Sequence, residues 1–234
     1  MAVFVLVHGA WHGGWCWSRV RNLLQRQGHE VHTPTLTGVG ERSHLLSRDI
    51  GLATHVADVA NLLRWEGLND AILCGHSYGG SVISGAAHRE PGRISTLVYL
   101  DAFVLEHGQS IYGTLSPESR AANIERTRQL GDGWKVPPIS AAHFNVNEAD
   151  REWVDRQCTP QSEATFTDGL ELPHGLPAHT AKRYIYASGY GNSPFHRYRD
   201  IAVERGWAVT DIESGHDVML DQPAQLAEVL AAAV

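Results

Sequence analysis

The chain holds the residue types of nucleophilic acyl transfer: a serine framed by glycines, a histidine near the far end, and acids from which a third partner must come. Ser77 lies in Gly75-His76-Ser77-Tyr78-Gly79, directly after the apolar run Ala71-Ile72-Leu73-Cys74 and directly before Gly80-Ser81-Val82-Ile83-Ser84. Strand, sharp corner and helix are what a nucleophile elbow needs, with the serine backbone strained and glycines where a Cβ would strike adjoining elements. The start of the following helix would place partial positive charge beside the attacked oxygen. A serine at its ordinary pKa is a weak nucleophile and needs a base within hydrogen-bond reach. His216, in Gly215-His216, follows the strand expected at residues 207–212 after a short loop and is the candidate base.

A carboxylate must hold the imidazole in its working tautomer and stabilise the imidazolium. In a sheet of this kind it usually follows the strand expected at residues 183–187, but no Asp or Glu occurs between Glu171 and Asp200. Asp200 falls in an expected helix, and Asp217 is bonded to the histidine it would have to face. Asp101 ends the strand after the elbow unit, one strand over, and is the expected third member; the competing reading is an Asp that caps the next turn. Two N–H donors must face the developing oxyanion. Tyr78, next after the nucleophile, offers one, and Ala10 in the turn His8-Gly9-Ala10 the other, with Gly9 leaving room for substrate.

The elements that must position these groups alternate. Strands are expected at residues 3–7, 30–33, 71–74, 94–100, 183–187 and 207–212, and helices at 17–27, 78–88 and 223–234, with Thr54 capping another. This β-α rhythm predicts an α/β fold: a doubly wound, mostly parallel sheet of about six strands, with ligands beyond the carboxyl ends of the strands. His8-Gly9-Ala10, Ser77 and Asp101 all fall there. Between residues 106 and 181 the rhythm breaks into a proline-containing stretch with helices near 117–130 and 148–156 and no strand alternation. Residues 1–105 and 182–234 are therefore expected to form the core, and 106–181 a helical lid over the sheet edge.

With 234 residues, 43% hydrophobic and 19% charged, the chain suits one sizeable globular core. A net charge of −7 without any run of Lys or Arg argues against a nucleic-acid partner. No signal peptide or membrane-length apolar run is visible, and Cys16, Cys74 and Cys158 fit reduced thiols, so a soluble cytoplasmic protein without membrane association is expected. None of the fourteen histidines shows metal-ligand spacing, so no metal is expected. Oligomeric state is left open, a homodimer included.

Phe4 to Trp17, Cys74-Gly75-His76-Ser77-Tyr78-Gly79-Gly80 and Gly215-His216-Asp217-Val218-Met219 together resemble the α/β-hydrolase superfamily, in its branch of small esterases related to plant methylesterases and hydroxynitrile lyases. Residues 37–44 and 97–103 are similar to bacterial members. The resemblance implies cofactor-free cleavage of a small-molecule ester held between the sheet edge and an apolar cap. Lyases of this branch carry a threonine after the first histidine and a lysine after the catalytic one; here Gly9 and Asp217 stand there, which disfavours lyase chemistry. The expected enzyme is a serine carboxylesterase for small or medium esters, aromatic ones included. A lyase or other C–C-cleaving hydrolase, or a ligand-binding homologue of low turnover, are the rivals. Gly9, Trp11, His76, Phe103, Trp134, Phe144, Trp153 and Met219 are candidates to line the pocket, though packing in the core or lid accounts for any one aromatic as well.

Overall fold

Val3 to Val7 is apolar throughout, and its last four side chains are fully buried, as a strand covered on both faces requires. It forms β1 (Val3–Val7) and leads into α1 (Ser18–Arg26), β2 (Glu30–His32), α2 (Leu52–Trp65), β3 (Ala71–His76), α3 (Gly79–Arg89) and β4 (Ile94–Leu100). An excursion follows, with α4 (Ile111–Thr114), α5 (Pro117–Leu130), β5 (Lys135–Val136), α6 (Glu148–Gln157), β6 (Gln161–Ser162) and α7 (Ala164–Thr167). The chain returns through β7 (Ala181–Ala187), α8 (His196–Glu204), β8 (Ala208–Ile212), α9 (Val218–Asp221) and α10 (Pro223–Ala231). These elements belong to a computed structural model that describes residues 1–191 and 193–233.

Six strands pair in parallel in the order β2-β1-β3-β4-β7-β8. From β1 the chain steps to one side, to β2, and from β3 onward to the other. Right-handed crossovers then put α1 on the face opposite α2 and α3. Accordingly α1 packs with α10, and α2 with α3. The reversal lies between β1 and β3, whose outgoing loops diverge and open a crevice at the carboxyl edge. The loops after these two strands begin at His8 and Ser77.

Local signals account for most boundaries. Val20 and Leu24 bury one face of α1, and Gly28, at φ 85°, ends it. Ser116 caps α5 by accepting the Ser119 N–H at 3.1 Å, with Pro117 in the first turn. Two expectations need correction. The α2 helix starts at Leu52, so Thr54 lies inside it; the Leu52 N–H is met by Asp168 Oδ2, 3.1 Å away and 116 residues along the chain. The excursion does contain strands: β5 and β6 pair antiparallel, Val136 opposite Gln161. At two residues each they have no alternation to read. They are tied to the sheet edge through Trp11, whose N–H donates to Gln161 Oε1 and whose indole N–H donates to the Val136 carbonyl.

Candidate active site

Ser77 joins β3 to α3 at a φ of 53°, in the left-handed region that a side-chain-bearing residue enters only under constraint. Hydrogen bonds supply the constraint. The Ser77 N–H donates to the Leu100 carbonyl at 3.1 Å, and the Ser77 carbonyl accepts from the N–H groups of Gly80 (3.1 Å) and Phe103 (3.2 Å). A Cβ at Gly75 would lie 2.5 Å from the Gly79 carbonyl oxygen, and one at Gly79 would lie 2.8 Å from that of His8. Both obstacles are backbone, which no rotamer change relieves, so close packing demands glycine on each side of the corner. Among the described residues, neither the Ala10 nor the Tyr78 N–H donates to a protein acceptor, and both residues line the cavity above Ser77.

His216 sits between β8 and α9, anchored by its N–H to the Phe144 carbonyl at 2.9 Å. Its Nδ1 lies 2.6 Å from Asp101 Oδ2, a charge-assisted distance. Asp101 is fully buried; its N–H donates to the Ile185 carbonyl at 2.7 Å and its Oδ1 accepts the Ala187 N–H at 3.3 Å. Burial raises the Asp101 carboxyl above its usual range, while the bonds from His216 and Ala187 oppose that rise. With Nδ1–H given to Asp101, Nε2 is the free nitrogen of His216, and Ser77 and His216 line one cavity. Asp200 is far from this role: it lies on α8, half exposed, beside His196.

The neighbouring histidines have their protonation fixed by their partners. His12 has an acceptor at each nitrogen, the Ala10 carbonyl at 2.8 Å and Asp217 Oδ2 at 3.2 Å, and so suits the imidazolium form. Burial works against that charge, yet Cys158 and Asp217 hold His12 well above its ordinary pKa. The Asp217 carboxyl is resisted by burial but held low by His12. His8 gives its Nδ1–H to the Gly9 carbonyl and accepts the Leu36 N–H at Nε2, which leaves no place for a second proton. His55 gives Nε2–H to the Thr37 carbonyl and accepts the Tyr78 hydroxyl at Nδ1. Burial pushes His8 down to about 3 and His55 down to about 4.

These two neutral histidines make the fold acid-sensitive. Their folded pKa values lie below the unfolded value, so the unfolded chain binds more protons between about pH 6.5 and 4, and stability falls as pH drops through that window. The slope is roughly 1.4 kcal/mol per pH unit for each histidine. Urea midpoints measured from pH 7 to 4.5 should decline steadily, with the unfolding free energy lower by several kcal/mol at the acid end; a flat series would contradict the buried neutral assignment.

The cavity over Ser77 measures about 300 Å³. The sheet edge contributes Ala10, Trp11, Tyr78, Phe103 and His216, as expected from the sequence. The excursion contributes Phe144, which was expected, together with Tyr112, Ile139 and Phe166, which no pattern singled out. Tyr190 and Phe195, before α8, complete the wall. Gly9 and His76 instead line a much smaller neighbouring cavity. Three expected pocket residues are elsewhere. Trp134 lies under the cationic groups of Arg48 and Lys135, Trp153 packs edge-on against Trp15, and Met219 is buried in the core. Each satisfies its apolar surface by local packing, the common fate of an aromatic or Met side chain. The His12–Asp217 pair, 205 residues apart in the chain, also escaped the sequence, since no spacing announces a contact of that range.

Residues 4–229 match the model of the alpha/beta hydrolase family. The chain belongs to that family. It is an enzyme, a serine-dependent α/β-fold hydrolase. The chain is 45% identical over 243 residues to a carbendazim hydrolyzing esterase of Nocardioides sp., covering 99% of each. It is 37% identical to methylesterase 1 of Arabidopsis thaliana over 111 residues, 46% of this chain and 42% of that protein. Among solved structures, an extracellular alpha/beta-hydrolase from a Paenibacillus species, described as homologous to tobacco salicylic acid binding protein 2, superposes with a TM-score of 0.88 at 24% identity, covering 100% of this chain and 99% of that one. A pyrethroid hydrolase from Sphingobium faniae superposes at 0.78 with 22% identity, covering 99% and 96%. These likenesses at low identity show the shared fold. No helix among the described residues is long and apolar enough to cross a membrane.

Proposed function

We propose that the protein is a serine carboxylesterase in which Ser77 is the nucleophile, His216 the general base and Asp101 the acid that orients it. The observation that carries this reading is the 2.6 Å contact of His216 Nδ1 with buried Asp101, beside a cavity that Ser77 and His216 both line. His216 Nε2 takes the Ser77 proton as Oγ attacks the ester carbonyl, and the carbonyl electron pair moves onto oxygen between the Ala10 and Tyr78 N–H groups. His216 then protonates the leaving alcohol, the acyl group stays on Ser77, and water repeats the cycle to release the acid.

A cavity of about 300 Å³ with aromatic walls suits a small or medium ester carrying an aromatic group. The relative that hydrolyses carbendazim, similar over the whole chain, supports a substrate of that size. The excursion acts as the lid, since Tyr112, Ile139, Phe144 and Phe166 cover the reacting serine from it. Cys16, Cys74 and Cys158 are free thiols, which supports a reducing, cytoplasmic setting.

A fluorophosphonate probe should form a one-to-one adduct on the peptide carrying Ser77, and prior incubation with substrate should slow it. A panel of nitrophenyl, methyl and aromatic esters, with carbendazim and a cyanohydrin included, should show turnover confined to the ester-type substrates. Cyanohydrin cleavage faster than any ester would overturn the esterase reading in favour of a lyase.

A further inference from the structure

Beside the large cavity lies a second one of about 10 Å³, lined by Gly9, His12, His76, Ser77, Phe144 and His216 among others. One water needs roughly 10–15 Å³ and two to four polar partners. Ala10, Trp11, Ser77, Phe144 and His216 line both cavities, so the small one adjoins the reacting centre, while Gly9, His12 and His76 belong to it and not to the large one.

His76 supplies the polar wall. Its Nε2 lies 3.0 Å from the His216 carbonyl oxygen and 3.6 Å from Asp217 Oδ1; both are acceptors, so Nε2 carries the proton and Nδ1 is a bare lone pair. Nδ1 is buried and has no hydrogen-bond partner among the described residues. Such a group costs about 1–3 kcal/mol if left unmet. It faces Gly9: a Cβ there would stand 2.8 Å from Nδ1 and 3.1 Å from Ser77 Cβ. Only glycine keeps that space open.

We propose that this small cavity seats the hydrolytic water of the deacylation half-reaction, with His76 Nδ1 as its positioning acceptor. The proposal rests on the serine esterase reading above. The water gives one O–H to His76 Nδ1 and directs the other to His216 Nε2. As its oxygen bonds to the acyl carbon, His216 takes that second proton and the carbonyl electrons move to the oxyanion. The C–Oγ bond then breaks, Ser77 Oγ recovers the proton from His216, and the carboxylic acid leaves. His76 exchanges no proton and is a positioning residue.

Two variants separate water placement from acylation. His76→Gln keeps a donor for the His216 carbonyl and removes the acceptor at Nδ1; Gly9→Ala fills the cavity with a methyl group. In stopped-flow assays with nitrophenyl acetate, His76→Gln should give a nitrophenolate burst close to wild type and then a steady state slower by about tenfold or more, and Gly9→Ala, whose methyl group also crowds Ser77 Cβ, should show at least the same loss in the steady state. For His76→Gln, values of kcat and KM should fall together, kcat/KM should hold, and mass spectrometry should find the acetyl group accumulating on Ser77. Equal losses in burst rate and steady state in His76→Gln, or an unchanged steady state in either variant, would overturn the water site while leaving the esterase reading intact. Absence of any burst or adduct in wild type, with turnover retained in Ser77→Ala, would instead remove the esterase reading itself.

Discussion

Replacing Ser77 with alanine should lower kcat for a nitrophenyl ester by about a millionfold and abolish fluorophosphonate labelling, while the protein remains folded. The size of the loss follows from geometry. Alanine removes the hydroxyl presented at the corner, and the hydrogen bonds that shape that corner come from the Ser77 backbone, which alanine keeps. Alanine also enters the left-handed region with no polar side chain to satisfy, so the thermal midpoint should stay within a few degrees of wild type. Residual hydrolysis should come only from the N–H groups of Ala10 and Tyr78 acting on water attack. Activity within tenfold of wild type in protein free of contaminating esterase would remove Ser77 from the reaction.

The corner was legible in the sequence because its constraints are local. An apolar strand, two glycines and a helix within a dozen residues leave one way to fold, and the structure places β3, Ser77 and α3 there. Strands β1 and β4 were equally plain, since each carries an unbroken apolar run, residues 3–7 and 97–100, of the kind that a strand covered on both faces requires. Asp101 was legible by a different route: a stretch without acids after the penultimate strand forced the search one strand over. Contacts between distant segments were hidden. The cap on Leu52 comes from Asp168, and the ion pair of His12 comes from Asp217, each more than a hundred residues away. Pocket aromatics were half legible. Trp11 and Phe103 sit on loops fixed by the sheet, whereas Trp134 and Trp153 belong to the excursion, where no periodic pattern tells inward from outward. His12 was passed over for the same reason: no periodic pattern in Ala10-Trp11-His12-Gly13-Gly14-Trp15 tells that its ring is buried and stacked on Trp15.

Asp101→Asn should cost about 10⁴ in kcat with little change in stability. Parallel strands stand about 4.8 Å apart, and β4 is hydrogen-bonded to β7, with Leu100 opposite Ile185. A carboxylate leaving β4 can therefore reach the imidazole that one leaving β7 would serve. The Asp101 N–H on the Ile185 carbonyl and the Ala187 N–H on Oδ1 fix the side chain across that gap. Asparagine fills the same volume and keeps the Ala187 bond through its carbonyl oxygen, but its NH₂ then faces His216 Nδ1. The imidazole must answer with Nδ1 as acceptor, which moves its proton to Nε2 and points a donor at Ser77 in place of a base. Raising the pH cannot undo that tautomer, so the loss should persist across pH 6 to 9, unlike a loss caused by a shifted imidazole pKa. Asp200→Asn, on the exposed face of α8, should leave kcat unchanged. Turnover in Asp101→Asn within a few-fold of wild type would mean that the carboxylate touching His216 does not set its tautomer, and that Asp217, the other buried acid near this ring, carries the role instead.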